Sequence, residues 1–212
     1  MTAADPRVLP APIARTDLPV STEAMARWLI GKSLVHAHLD GTAAGRIVET
    51  EAYVPGDSSS HAFRGPTPRN RSMFLEHGHA YVYFIYGSWF ALNVSAEPPG
   101  TGAGVLIRAV EPTVGIPLMQ QRRGTDRLLD LARGPGRLAS ALAIDRSLDG
   151  MDLCQGAPLW LGEPLRPAGP IGESVRIGLS RETDRVLRFF EPGSPFVSGP
   201  KRLNALPAAR SR

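Results

Sequence analysis

Glu49, Glu51 and Tyr53 occupy alternate positions of one short segment, RIVETEAY (46–53). In an extended strand the side chains at i, i+2 and i+4 project to one face. Two carboxylates and a phenol would then stand in a row, with Val48, Thr50 and Ala52 turned the other way into core. Like charges side by side on a sheet repel, so the row is a poor stabiliser. It suits the activation of a water molecule beside a flat substrate. Arg108, inside the apolar run VLIRAVEP (105–112), is the natural counter-charge. A charge flanked by apolar residues is costly unless it meets a carboxylate or lines a polar cavity. Two readings fit Arg108: a buried salt bridge to Glu111 or Glu49, or an Arg–Glu pair that holds one water.

Two more segments carry chemistry. In YVYFIYGSWFALN (81–93), Tyr81 and Tyr83 share a strand face, while Tyr86 sits on the other face beside the turn glycine. Aromatics in strands mostly pack against neighbours, which accounts for Tyr81, Phe84 and Phe90. An exposed ring at a hairpin tip can instead wedge between stacked bases. The loop HAFRGPTPRNRSMF (61–74) carries Arg64, Arg69 and Arg71, with no acid between Asp57 and Glu76. A solvated loop is the usual reading of such a run. Lying between the carboxylate strand and the aromatic hairpin, it can also grip a phosphate backbone.

Other patterns point away from metals and nucleotide cofactors. His36-x-His38 and His77-x-His79 each put two imidazoles on one strand face. A zinc site needs a third ligand at sensible spacing, and neither a cysteine pair nor an HExxH helix supplies one. No metal and no cofactor are expected. There is no P-loop or dinucleotide fingerprint. Gly134-Pro135-Gly136 reads as a turn opening a helix, whose amides, with Arg137, could at most meet a phosphate.

The whole chain must position these groups. Its 212 residues are 42% hydrophobic and 21% charged, ordinary for one globular domain. No apolar run reaches membrane-spanning length, and the first residues lack a signal peptide's apolar stretch. The single cysteine, Cys154, excludes an internal disulfide and fits a cytoplasmic setting. Of 24 basic residues only Lys32 and Lys201 are lysines, and the sequence pI is near 9.7. Codon usage in a GC-rich genome explains most of that ratio. The clustering of arginines still favours a polyanionic partner.

Residues 1–18, rich in proline, read as a flexible arm, 19–199 as one domain, and 200–212 as a basic tail. Ser21 or Thr22 caps a helix over TEAMARWLIGK (22–32). SLVHAHL (33–39) and GRIVETEAY (45–53) pair across Asp40-Gly41. AYVYFIY (80–86) and SWFALNVS (88–95) form a hairpin, and GVLIRAVEP (104–112) is a strand closed by Pro112. VGIPLMQQRR (114–123), TDRLLDLA (125–132) and GRLASALAI (136–144) read as helices. PLWL (158–161), VRIGLS (175–180) and RFFEP (188–192) read as late strands. Without βαβ alternation the pattern predicts a mixed α+β single domain.

Taken in order, RIVETEAY, HxxRGxTPRNRxMF, YVYFIYGxxFxLN, VLIRAVEP, GPGRLxxALAI and GSPFVS closely resemble the alkyladenine (3-methyladenine, methylpurine) DNA glycosylase family. The resemblance runs from about residue 18 to 198. It implies a curved antiparallel sheet flanked by helices, with a protruding hairpin that enters the DNA minor groove. It further implies a monomeric, monofunctional base-excision enzyme, associated with the nucleoid through DNA, that flips damaged purines from duplex DNA. By this resemblance Glu51 is the general base, and Arg108 and the Ile177 carbonyl hold its water. Tyr53, His61 and Tyr83 wall the base pocket, and Asn93 clashes with the exocyclic amine of guanine. Tyr86 fills the gap in the duplex; Thr67, Arg69, Arg137 and Arg146 meet the backbone. Glu49 is left a supporting role. Stacking among Tyr53, Tyr83 and His61 would favour an electron-poor, cationic base. Lysines only at 32 and 201 argue against a Schiff-base lyase. A non-catalytic DNA-binding module and a nucleoside-hydrolysing enzyme are the alternatives.

Overall fold

Strand alternation and turn chemistry set the first hairpin. The computed structural model describes residues 9–85 and 87–204. In it β1 (Ser33–His38) runs into the turn at Asp40 and returns as the long β2 (Gly41–Tyr53). A second hairpin joins β3 (Ala80–Ile85) to β4 (Trp89–Ser95), with Gly87 at φ 70° supplying the positive backbone angle of the turn. The expected wedge residue Tyr86 lies outside the described residues. β5 (Gly104–Val114), β6 (Leu159–Gly162), β7 (Gly172–Ser174) and β8 (Arg188–Phe190) complete an eight-stranded sheet of order β3-β4-β5-β2-β1-β6. β8 pairs with both β2 and β7, and every pairing is antiparallel.

Among the described residues three α-helices flank this curled sheet: α1 (Thr22–Trp28), α2 (Ile116–Arg123) and α3 (Pro135–Ala141). The expected α+β class holds. Met25 and Ala26 of α1 and Leu138, Ala139 and Ala141 of α3 are buried with Ile47, Leu92 and Ile107 in the main core. Thr50 reinforces the α1 contact by donating its hydroxyl to the Ala26 carbonyl at 2.8 Å.

The alternation along β2 breaks at its middle. Val48 on β2 and Arg108 on β5 have no partner in the β2–β5 register, which passes from Ile47–Val110 to Glu49–Ala109 to Thr50–Ile107. Each strand therefore carries one extra residue, and such bulges re-aim side chains beside functional sites. Val48 does not share a core with Ala52 as the two-residue period requires. It packs with Ala109, Phe190, Phe196 and Val197 in a separate cluster, while Ala52 lies in the main core.

Five other segments differ from the sequence expectations. TDRLLDLA forms only a 3-10 turn at Leu128–Asp130. The Ala132 carbonyl next to it accepts from Val110 of β5 at 3.3 Å, which holds this backbone along the sheet. VRIGLS is not a strand; β7 ends at Ser174, and the Ile177 amide turns to a side-chain acceptor instead. Pro112 does not close β5, which continues to Val114 through a register shift at Gly45. The expected flexible arm is packed from residue 9 to 18. Pro12 bridges Gly162, Ile13 is fully buried, and Trp160 donates to the Pro10 carbonyl at 2.9 Å. Leu203 and Asn204, expected in the loose tail, accept hydrogen bonds from Arg188.

Candidate active site

The bulges bring both glutamates to one guanidinium. Arg108 Nε donates to Glu49 at 2.8 Å, and its Nη1 lies 3.2 Å from Glu51. Both carboxylates are fully buried and Arg108 is 8% exposed, so these contacts form in a low-dielectric interior. Glu49 also accepts from Arg188 Nε at 2.8 Å and from the Ser198 amide at 2.7 Å. Burial alone would push the Glu49 carboxyl upward, but Arg108 and Arg188 together hold it below the usual carboxylate range. Burial likewise opposes the charge on Arg108, and Glu51 and Glu49 outweigh it, raising that pKa further.

Glu51 has different company. One oxygen accepts the Ile177 amide at 2.8 Å, and the other accepts the Tyr53 hydroxyl at 3.0 Å. Burial and the adjacent Glu51 charge keep the Tyr53 phenol protonated far above its ordinary range. Each carboxylate oxygen has two acceptor directions, so Glu51 retains room for a further donor.

A cavity of about 180 Å³ is lined by Tyr53, His61, Tyr83, Asn93, Arg108 and Ile177, among others; Glu51 does not line it and adjoins it through its bonds to Tyr53, Arg108 and Ile177. That is below the ~300–1,000 Å³ typical of sites for drug-sized ligands and suits one planar group. Tyr83 stacks on Tyr81 with ring centroids 5.2 Å apart, and His61 meets Tyr83 edge-on at 4.5 Å. His61 Nδ1 lies 2.9 Å from the Tyr81 hydroxyl. Burial of its ring, then nearby Arg69, moves the imidazole below its usual range, towards the neutral form. Burial pushes Tyr81 up to about 12. Asn93 donates to the Tyr81 carbonyl at 3.3 Å, which fixes its amide at the pocket wall.

The expected backbone contacts lie around this cavity. Thr67 and Arg69 line a neighbouring cleft of about 340 Å³, which shares Ser60, His61 and Tyr81 with the first cavity. Asn70 shapes that loop, accepting from the Thr67 amide at 2.6 Å and donating to the His61 carbonyl at 2.8 Å. Arg137 lines a third cleft with Trp89 and Arg108, and is 2.9 Å from Asp130. Arg146 donates to the Val82 carbonyl and, at 3.1 Å, to the Arg69 carbonyl. The structure thus gathers Glu51, Tyr53, His61, Tyr83, Asn93, Arg108 and Ile177 into one site and sets Thr67, Arg69, Arg137 and Arg146 outside it.

Three neighbours escaped the sequence reading. Arg188 backs Glu49, Arg176 pairs with Asp57 beside Tyr53, and Tyr81 anchors His61. Both arginines carry the signal applied to Arg108, a charge inside an apolar run. No cluster of three metal-ligating side chains occurs among the described residues, and no helix there is long and apolar enough to cross a membrane.

A half-barrel sheet whose central strands carry two buried carboxylates beside a small aromatic pocket fits the hydrolase class. Residues 16–195 match the family model of the methylpurine-DNA glycosylases. A protein of Mesorhizobium japonicum named for 3-methyladenine DNA glycosylase activity is 61% identical over 192 residues, covering 91% of this chain and 92% of its own. One of the same name from Paraburkholderia phytofirmans is 56% identical, with 92% of each chain covered. One from Methanoculleus marisnigri is 48% identical over 84% of this chain and 93% of its own. The chain belongs to the methylpurine-DNA glycosylase family. It is a DNA glycosylase of the 3-methyladenine type, a hydrolase of N-glycosyl bonds that acts in DNA repair.

Proposed function

We propose that this enzyme excises alkylated or deaminated purines, of the class of 3-methyladenine, 7-methylguanine, hypoxanthine and ethenoadenine, from duplex DNA. It acts as a monomer without lyase activity and leaves an abasic site. The observation that carries this reading is Glu51, a fully buried carboxylate bonded to Ile177, Tyr53 and Arg108, all three of which line the aromatic cavity. The target purine swings out of the helix and lies among Tyr53, His61 and Tyr83. Asn93 stands where the exocyclic amine of normal guanine would fall.

Glu51 takes a proton from a water molecule whose oxygen bonds to the sugar C1′. The glycosidic bond breaks, and its electron pair leaves with the base. Such a transition state has oxocarbenium character, so the same carboxylate also favours the developing positive charge. Arg108 and the Ile177 carbonyl orient the water. A base that is already cationic leaves without help; a neutral one must gain a proton. The hairpin β3–β4 enters the minor groove, Tyr86 fills the vacated stack, and Thr67, Arg69, Arg137 and Arg146 meet phosphates.

The test is single-turnover base release from duplexes carrying each lesion. Glu51→Gln should lower release by about 10²–10⁴-fold, the usual weight of a general base, with duplex affinity retained. Full release by that variant would favour a different base. Absence of release by the wild type on every lesion would leave the alternative, a damaged-DNA-binding module without catalysis.

A further inference from the structure

Arg176 is buried, yet only part of its guanidinium is hydrogen-bonded. Its Nη1 donates to the Ala52 carbonyl at 3.0 Å and to the Asp57 carboxylate. Its Nε and Nη2 are buried without a hydrogen-bond partner among the described residues. A buried charge with unmet donors is an expensive feature in a fold. What the guanidinium does meet is a ring: its Cζ lies over Tyr53, 4.7 Å from the centroid. Tyr53 lines the base cavity and Arg176 does not. The ring face that the cation covers is therefore closed to the cavity, and a ligand stacking on Tyr53 must use the opposite face.

That placement changes what the Tyr53 face offers to a ligand. A cation over one face of an aromatic ring draws on the same negative π surface that would attract a cation on the other face. Ring polarisation runs through the ring, so a positively charged purine stacked on Tyr53 finds a weaker partner than an unbacked tyrosine. A neutral purine loses nothing comparable. Tyr83, the other tyrosine of the wall, is backed by the neutral ring of Tyr81. The expectation that stacking favours cationic bases thus applies to Tyr83 and is opposed at Tyr53.

We propose that Arg176 is a specificity-determining residue that acts through Tyr53, biasing this glycosylase towards neutral purine lesions over cationic N-alkylpurines. The inference rests on the proposed function above, in which Tyr53 walls the flipped base. Asp57 sets the strength of the effect: its carboxylate neutralises part of the guanidinium charge. Glu51 acts on the same ring from the hydroxyl end, 3.0 Å from the phenol oxygen, and serves both substrate classes alike.

The experiment compares single-turnover release of 7-methylguanine, cationic in DNA, with release of hypoxanthine, neutral in DNA. The readout is the ratio of the two rate constants. Arg176→Gln with Asp57→Asn keeps an amide pair in the same space and removes both charges. It should raise the 7-methylguanine to hypoxanthine ratio by about three- to tenfold, the scale of a cation–π contribution. Asp57→Asn alone leaves the guanidinium on the ring without its counter-charge and should move the ratio the other way. Arg176 and Asp57 also brace the chain near residue 57, and a purely bracing role predicts equal losses on both substrates. A ratio within twofold of wild type in whichever variant folds, or a shift of the same sign in both, overturns the proposal. Glu51→Gln run in parallel keeps the two ideas apart. Loss of both activities there with an unchanged ratio in the Arg176 and Asp57 variants sinks this inference alone. Full activity in Glu51→Gln sinks the reading beneath it.

Discussion

Glu49→Gln tests whether Glu49 is a structural carboxylate, distinct from Glu51, the proposed general base. The substitution keeps shape and removes one charge from a buried group of two carboxylates and two guanidiniums. Arg188, fully buried, and Arg108 both rely on Glu49 at 2.8 Å. Removing one partner of a buried pair leaves an uncompensated charge and typically costs about 3–5 kcal/mol. For a chain of this size each kcal/mol moves Tm by about 2–4 °C, so thermal unfolding followed by circular dichroism should show a fall of about 6–20 °C. Acid adds a second readout. The folded Glu49 pKa is depressed by its guanidinium partners, against burial. Its contribution is therefore complete above the unfolded carboxyl value of about 4.3. It is lost as pH falls through the folded value. The wild type should lose stability on acidification at up to about 1.4 kcal/mol per pH unit for this one proton, a share that Glu49→Gln lacks. Base release by the folded variant should fall far less than in Glu51→Gln. An unchanged Tm with an identical acid limb would refute the charge accounting. Base release as low as in Glu51→Gln would give Glu49 a part in the chemistry.

Two further substitutions test other parts of the molecule. Arg146→Ala removes a side chain that straps the Arg69 backbone to Val82. The slope of log affinity against log salt for duplex binding, read by fluorescence anisotropy, should shrink by at least about 0.9, one phosphate contact. An unchanged slope would reduce Arg146 to a strap. Gly115→Ala places a Cβ 2.3 Å from the Thr42 carbonyl oxygen at φ 71°, where backbone cannot yield. Urea unfolding should show a loss of about 1–3 kcal/mol from strain alone, and a loss below about 0.5 kcal/mol would contradict the close approach.

Sequence made the hairpins legible because turn residues and alternation are local signals. Asp40-Gly41 and Gly87 marked their turns, and their strands formed within a residue or so of the expected bounds except β2, which starts four residues earlier, at Gly41. The parity of β2 was not legible past Ile47. Val48 and Arg108 each stand out of register, and nothing in VETEA or LIRAV marks a bulge. TDRLLDLA carried a helical pattern, but its carbonyl at Ala132 serves Val110 of a strand 22 residues earlier. Local propensity loses to such a contact. Arg176 and Arg188 were within reach of the rule that flagged Arg108. Ser198 and Asp57 were not, since an amide and a surface-type carboxylate give no sign of what they meet.

The two glutamates of RIVETEAY differ in the way that paired carboxylates with separate tasks differ. Glu49 is held by two guanidiniums and an amide, each within 2.8 Å, an arrangement that fixes the ionised form and leaves little for chemistry. Glu51 has one guanidinium at 3.2 Å, an amide and a phenol, and all three partners line the cavity. Arg108 is the hinge between them, because its shorter contact is to Glu49 and its longer one to Glu51. Without Glu49 the guanidinium would lose its shorter contact and shift part-way towards Glu51, which should cost some base release but far less than Glu51→Gln does. On this argument the supporting glutamate works by holding the arginine off, and the bulge at Val48 is what lets it reach.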